Sequence, residues 1–127
     1  MDYRARVASN GRPYRTYVVE GFEVFVGKGE DDNDYLTFDV AEPHDLWLHV
    51  GGGTPGSHVV VRSRGEDVSP TVVIRAASLA AWYSKARDEK LVDVHWCKAS
   101  DVSKPRGAKA GLVELARFKN VKVAPRG

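Results

Sequence analysis

A single helical repeat in an otherwise strand-like chain constrains this sequence most. Ser69 suits a helix N-cap and Pro70 the first helical position, where a missing N–H costs nothing. Ile74, Ala77, Ala81 and then Tyr83 or Ser84 follow helical spacing, which predicts a helix over 70–88. Ala76, Ala77, Ala80 and Ala81 are small, so the helix can lie close on a sheet. Lys85, Arg87 and Lys90 fall at its C-terminal end, where the helix dipole favours cations.

The rest of the chain reads as short strands and turns. Alternating or apolar runs predict strands over 14–19, 22–26, 35–40, 45–50, 58–62 and 91–98. Glu20-Gly21 signals a tight turn between the first two, and 28–34 and 64–67 read as charged connections. The run Gly-Gly-Gly-Thr-Pro-Gly-Ser over 51–57 is too glycine-rich for a regular element. A basic loop over 104–111 precedes an expected closing hairpin, 112–118 against 121–123, turning at Lys119-Asn120. With no repeated βαβ unit, the class is α+β: a mostly antiparallel sheet of short strands and hairpins with one long helix packed on it. Residues 1–13 read as a flexible basic arm and 14–127 as one domain.

At 127 residues, 43% hydrophobic and 28% charged, the chain suits one packed domain rather than disorder. No run of about 20 apolar residues suggests a membrane span, and no secretory signal opens the chain. Cys97 is the lone cysteine, which excludes an intrachain disulfide and a cysteine-only metal site and fits a reducing cytoplasm. The net charge of +2 hides a segregation. Residues 1–15 and 98–127 carry twelve Lys/Arg against three Asp/Glu, whereas 16–97 carry seven against fourteen. Brought together, the two ends would form a basic patch suited to a polyanion; apart, they are solvated surfaces.

In the strand over 45–50, Leu46, Leu48 and Val50 share one face while Asp45, Trp47 and His49 share the other. That second face offers an acid, a stacking plane and an imidazole in a row. His58, Val60 and Arg62 alternate in the same way on the next strand. One hairpin register would set Asp45 against Arg62, Trp47 against Val60 and His49 against His58, and a one-residue slip would break all three pairs. The glycine loop suits either a backbone nest for phosphate or a tight turn through Pro55, Gly56 and Ser57; it lacks the ending of a nucleotide P-loop. Lys104, Arg106 and Lys109, spaced by Pro and Gly, form the densest cationic motif, which Lys85 and Arg87 would extend.

Asp45, His49, Ser57 and His58 include the residue types of a hydrolytic triad, without a nucleophile-elbow pattern. Asp45, His49 and His58 are also possible metal ligands, but no tight histidine spacing supports a site, so no metal or cofactor is expected. His44 and His95 read as half-exposed histidines, Trp82 as core or edge packing, and Trp96 as surface.

These stretches together resemble the NFACT-R domain, the C-terminal RNA-recognition domain of the NFACT proteins. The resemblance runs over about 14–125. Its carriers are Val-Gly-Lys at 26–28, Asn33-Asp34 with Leu36-Thr37, and Asp-Leu-Trp-Leu-His at 45–49. Pro-Gly-Ser-His-Val-Val at 55–60, the alanine pairs leading into Trp-Tyr-Ser-Lys-Ala-Arg at 82–87, and Lys-Pro-Arg-Gly-Ala-Lys-Ala-Gly-Leu-Val at 104–113 complete them. The family's Asp-x-Trp-x-His motif falls on Asp45, Trp47 and His49, and its Pro-Gly-Ser-His turn on Pro55, Gly56, Ser57 and His58. Where the family usually carries Arg, this chain has Lys28, which keeps the charge and loses the bidentate fork.

The resemblance implies a stand-alone, non-catalytic RNA-binding domain that recognises tRNA or large-subunit rRNA. Full-length NFACT proteins are multidomain factors of ribosome-associated quality control, so a protein partner would supply the missing domains or an RNA-modifying activity. Trp47 and His49 would meet bases, and Arg62, Lys85, Arg87, Lys104, Arg106 and Lys109 would hold phosphates. Two alternatives stand beside it: an RNA-processing or modification enzyme built on Asp45, His49 and His58, and a protein-interaction module of a ribosome-associated complex.

Overall fold

The computed structural model describes residues 11–127, so most of the expected N-terminal arm lies outside the described residues. Strands β1 (Tyr14–Val19) and β2 (Phe22–Gly27) form the expected hairpin, with Glu20 and Gly21 both at positive φ in its two-residue turn. Helix α1 (Glu30–Tyr35) continues into a π-helical turn (Leu36–Val40). Strands β3 (Leu46–Val50) and β4 (Val59–Val61) follow, then helix α2 (Pro70–Trp82) and strand β5 (Val92–Lys98). Three short strands close the chain: β6 (Val102–Ser103), β7 (Glu114–Leu115) and β8 (Lys119–Val123). The main sheet runs β1-β2-β4-β3-β5-β8, with every pairing antiparallel. The class is α+β, as the pattern predicts.

Three elements depart from the sequence-based expectation. The segment 35–40 is helical rather than a strand, and helix α1 replaces most of the charged loop. Glu30, Asp31 and Asp32 crowd the first turn, where the dipole favours anions. Asn33, Leu36 and Thr37 then turn inward at helical spacing.

Helix α2 stops at Trp82, six residues early. Ser57 N–H donates to the Tyr83 carbonyl and Lys85 N–H to the Pro55 carbonyl, both at 3.0 Å. The Tyr83 carbonyl and the Lys85 N–H thus pair with the glycine loop instead of continuing the helix ladder. Gly56 permits that approach, since a Cβ there would stand 2.7 Å from the Ser84 Cβ.

The expected terminal hairpin does not form. Strand β7 pairs with β6, and β8 pairs with β5.

Both faces of the central strands are covered. On one face α2 lays Val72, Ala76, Ala77, Ala80 and Ala81 against Val24, Leu48, Val50, Val59 and Val61. On the other, Phe25, Trp47, Val60 and Cys97 pack with Leu36 and Val102 in a second core. The face that carries Asp45, Trp47 and His49 is therefore largely interior.

Candidate nucleic-acid interface

The β3–β4 register pairs Leu46 with Val61, Trp47 with Val60 and Leu48 with Val59. Of the two arrangements open to the sequence, this one carries Asp45 to Arg62 and His49 to His58. The Arg62 Nε lies 3.0 Å from Asp45 Oδ2. The carboxylate is wholly buried and also accepts the backbone N–H of Glu42 at 2.8 Å and of Ser63 at 3.0 Å. Arg62 further bonds the Val40 carbonyl and pairs with Glu42. Both residues are engaged within the fold, and the Arg62 guanidinium is committed to Asp45, Glu42 and the Val40 carbonyl.

Trp47 is 1% exposed, so it presents no open plane to a base. Its Nε1–H donates to Thr37 Oγ1 at 3.0 Å. The Thr37 hydroxyl lies 2.8 Å from His58 Nδ1, and His58 Nε2 lies 3.2 Å from the Gly111 carbonyl. A carbonyl only accepts, so Nε2 carries the proton and Nδ1 accepts from Thr37. The result is one directed chain: Trp47 to Thr37 to His58 to Gly111. It needs a neutral imidazole, and burial, with help from His49, pushes the His58 pKa down to about 4. Strand β3, the π-helical turn, β4 and the basic loop are joined by these three bonds.

His49 remains half-exposed, with its ring tilted 27° from Trp47 and edge-on to His58 at 5.4 Å. Desolvation lowers its pKa too, against the opposing pull of the Val50 and Gly56 backbone. It opens into a cleft of about 530 Å³ walled by the glycine loop, His95 and residues 109–115. The reactive constellation that a triad needs is not assembled here. Asp45 is taken up by Arg62, and the Ser57 hydroxyl donates to the Gly27 carbonyl at 2.7 Å. Among the described residues, no group of three or more His, Cys, Asp or Glu side chains is placed to hold a metal ion.

A second groove, of about 520 Å³, lies on the other side of Pro55 and Gly56, which border both. Among the described residues, Arg15, Lys28, Lys85 and Arg87 line it against one acid, Glu30. The Arg87 guanidinium sits 3.7 Å from the Trp82 ring centre, and that of Arg15 lies 4.9 Å from the Tyr83 ring centre. Aromatic backing orders a guanidinium without neutralising it. Arg15 from β1, Lys28 after β2 and Lys85 after α2 therefore converge from distant parts of the sequence.

The basic loop is placed differently from its sequence appearance. Lys104 pairs with Asp34 at 2.9 Å and donates to the carbonyls of Lys109 and Leu112. Asp34 also accepts the Gly111 N–H at 3.1 Å. Lys104 thus shapes the loop, while Arg106 and Lys109 are exposed. Sequence reasoning overlooked Arg15 as a groove residue and Trp82 as a guanidinium support. Alternation along β1 carried a signal for Arg15; nothing local marked Trp82.

Residues 13–116 match the family described as the NFACT protein RNA binding domain. The chain is 43% identical over 105 residues to the Rqc2 homolog RqcH of Bacillus subtilis (strain 168), covering 83% of this chain and 18% of that protein. It is 38% identical over 124 residues to the Rqc2 homolog RqcH of Streptococcus suis (strain 05ZYH33), covering 97% and 22% respectively. The chain thus spans about a fifth of the length of these curated relatives. A solved structure of the C-terminal part of the fibronectin/fibrinogen-binding protein from Streptococcus suis superposes with a TM-score of 0.83 at 38% identity. That likeness covers 98% of this chain and 49% of the other.

Proposed function

This chain belongs to the NFACT protein RNA-binding domain family, and on that premise we propose that it binds structured RNA, tRNA or large-subunit rRNA, without catalysis of its own. The observation that carries this reading is the convergence of Arg15, Lys28, Lys85 and Arg87 on one groove. Such a groove attracts a phosphate backbone and releases its counterions. Arg106 and Lys109 extend the positive field on the far side of the glycine loop. Asp45, Trp47 and His58 serve the site from inside, by holding its strands and loops in register.

The relatives named as Rqc2 homologs support a place in ribosome quality control, beside a protein partner. Titration of labelled tRNA at two salt concentrations tests the reading. Salt-sensitive binding is expected, and replacing Lys85 and Arg87 together by Ala should weaken it. Absence of binding at low salt by the folded protein would overturn it.

A further inference from the structure

The two clefts that meet at Pro55 and Gly56 differ in chemistry. Among the described residues, the basic groove holds four cations against one acid, a composition that selects phosphate. The histidine cleft holds, among the described residues, one base, Lys109, and one acid, Glu30, so these walls do not select an anion. Its walls are instead planar rings, bare backbone and the aliphatic side chains of Leu112, Val113 and Leu115. His49 lies on one side and His95, stacked on Phe118 at 4.2 Å, on another. Gly52 and Gly53 adopt φ of +72° and +75°, and a Cβ at either would meet nothing within 4 Å. These glycines serve the loop's conformation and leave open space beside its backbone. At about 530 Å³ the cleft has room for a heteroaromatic ring.

Resting on the RNA-binding reading, we propose that the cleft bounded by His49, His95 and the glycine loop receives one unpaired nucleobase, while the adjoining groove of Arg15, Lys28, Lys85 and Arg87 holds the phosphates beside it. The domain then recognises RNA at an extruded or looped nucleotide rather than along a continuous duplex. A neutral imidazole offers both a donor and an acceptor to a base edge and a flat face to its ring. The strand register that sets His49 opposite His58 aims it there, and the His58–Gly111 bond holds the opposite wall in place. A base paired within an A-form helix cannot enter, because its edges are occupied and its faces are stacked.

The test compares two blunt-ended RNA duplexes of matched length, one fully paired and one with a single bulged nucleotide, measured with wild-type protein and with His49→Ala. The bulged duplex should bind about tenfold more tightly to the wild type, as the loss of one stacked base predicts. His49→Ala should erase that preference while the salt dependence stays unchanged, because the phosphate contacts are elsewhere. His49→Asn, which keeps a donor and an acceptor, should restore part of it. His95→Ala gives an independent reading from the other wall if His49→Ala fails to fold. Equal affinity of the wild type for both duplexes would overturn the base cleft and leave the RNA-binding reading standing. So would a bulge preference that survives in folded His49→Ala, or in folded His95→Ala where His49→Ala does not fold. Failure of both duplexes and of tRNA to bind at low salt would overturn both.

Discussion

The carboxylate of Asp45 and the guanidinium of Arg62 lie 3.0 Å apart across the β3–β4 pair, with the Asp45 side chain 1% exposed. Asp45 thus answers Arg62 and two backbone N–H groups at once. The first residue of the Asp-x-Trp-x-His row is a clamp on the strand register, and the remaining residues depend on that register for their places.

Asp45→Ala should therefore cost about 3 kcal/mol of stability, because it strands a partly buried guanidinium and two N–H donors. Urea unfolding measures the loss. If the variant instead unfolds at the wild-type midpoint while RNA affinity collapses, Asp45 contacts the ligand and the clamp role is wrong.

Trp47 separates packing from stacking on RNA. Trp47→Ala should cost about 3–5 kcal/mol through the cavity it leaves. Trp47→Phe should keep most of the packing and lose about 1 kcal/mol with the bond to Thr37. Under conditions where Trp47→Phe is fully folded, its RNA affinity should match wild type. A large affinity loss in that folded variant would place the indole at the interface.

Acid should weaken the fold through His58. Its pKa is held at about 4 in the folded chain, against an ordinary value of 6.5. Between those values the unfolded chain binds a proton that the folded chain refuses. The stabilisation is complete above about pH 6.5 and falls as pH drops toward 4, by on the order of 3 kcal/mol. Equilibrium unfolding from pH 7.5 to 4.5 should show this slope, and His58→Asn should flatten it. A slope identical in both proteins would assign the effect to other groups.

Cys97 is buried, and desolvation and Asp101 push its thiol up to about 12. It should stay protonated at neutral pH and react with a disulfide reagent only as fast as the protein opens. Rapid stoichiometric labelling of the native protein would contradict this.

The basic groove and the Lys104 loop should behave differently under salt. Replacing Lys85 or Arg87 by Ala should each lower the slope of log affinity against log salt by about 0.7–0.9 if it contacts one phosphate. Lys104→Met should leave that slope unchanged and make residues 104–112 more susceptible to protease, since its ammonium is committed to Asp34 and to loop carbonyls. A reduced slope for Lys104→Met would add that residue to the interface.

Much of the frame was legible from residue order. The Glu20-Gly21 hairpin, the start of α2 at Ser69 and Pro70, and the separation of Leu48 and Val50 from Trp47 and His49 all follow from local rules. Turn geometry, capping and pleat alternation act within a few residues, so they can be read from a short window. The segment 35–40 misled because Leu36, Phe38 and Val40 alternate with Thr37 and Asp39, yet the adjacent Leu36 and Thr37 are buried together on one turn of a helix while Phe38 is exposed. At this length the two periods overlap, and packing against Trp47 and His58 decides between them.

The sequence by itself determined which side chains share a face, where the long helix begins and how charge is segregated. Only the tertiary structure decided whether a face is covered, which cations are committed and where that helix ends. Alternation distinguishes two sides of a strand but does not say that α1, the π-helical turn and Val102 will roof one of them. Lys104 and Arg106 look alike in the sequence; they differ because Asp34 stands 2.9 Å from one of them. Helix α2 stops where the glycine loop offers its backbone better-placed partners, an exchange between residues about thirty positions apart. Such outcomes rest on non-local hydrogen bonds and burial, and no local window of residues contains them.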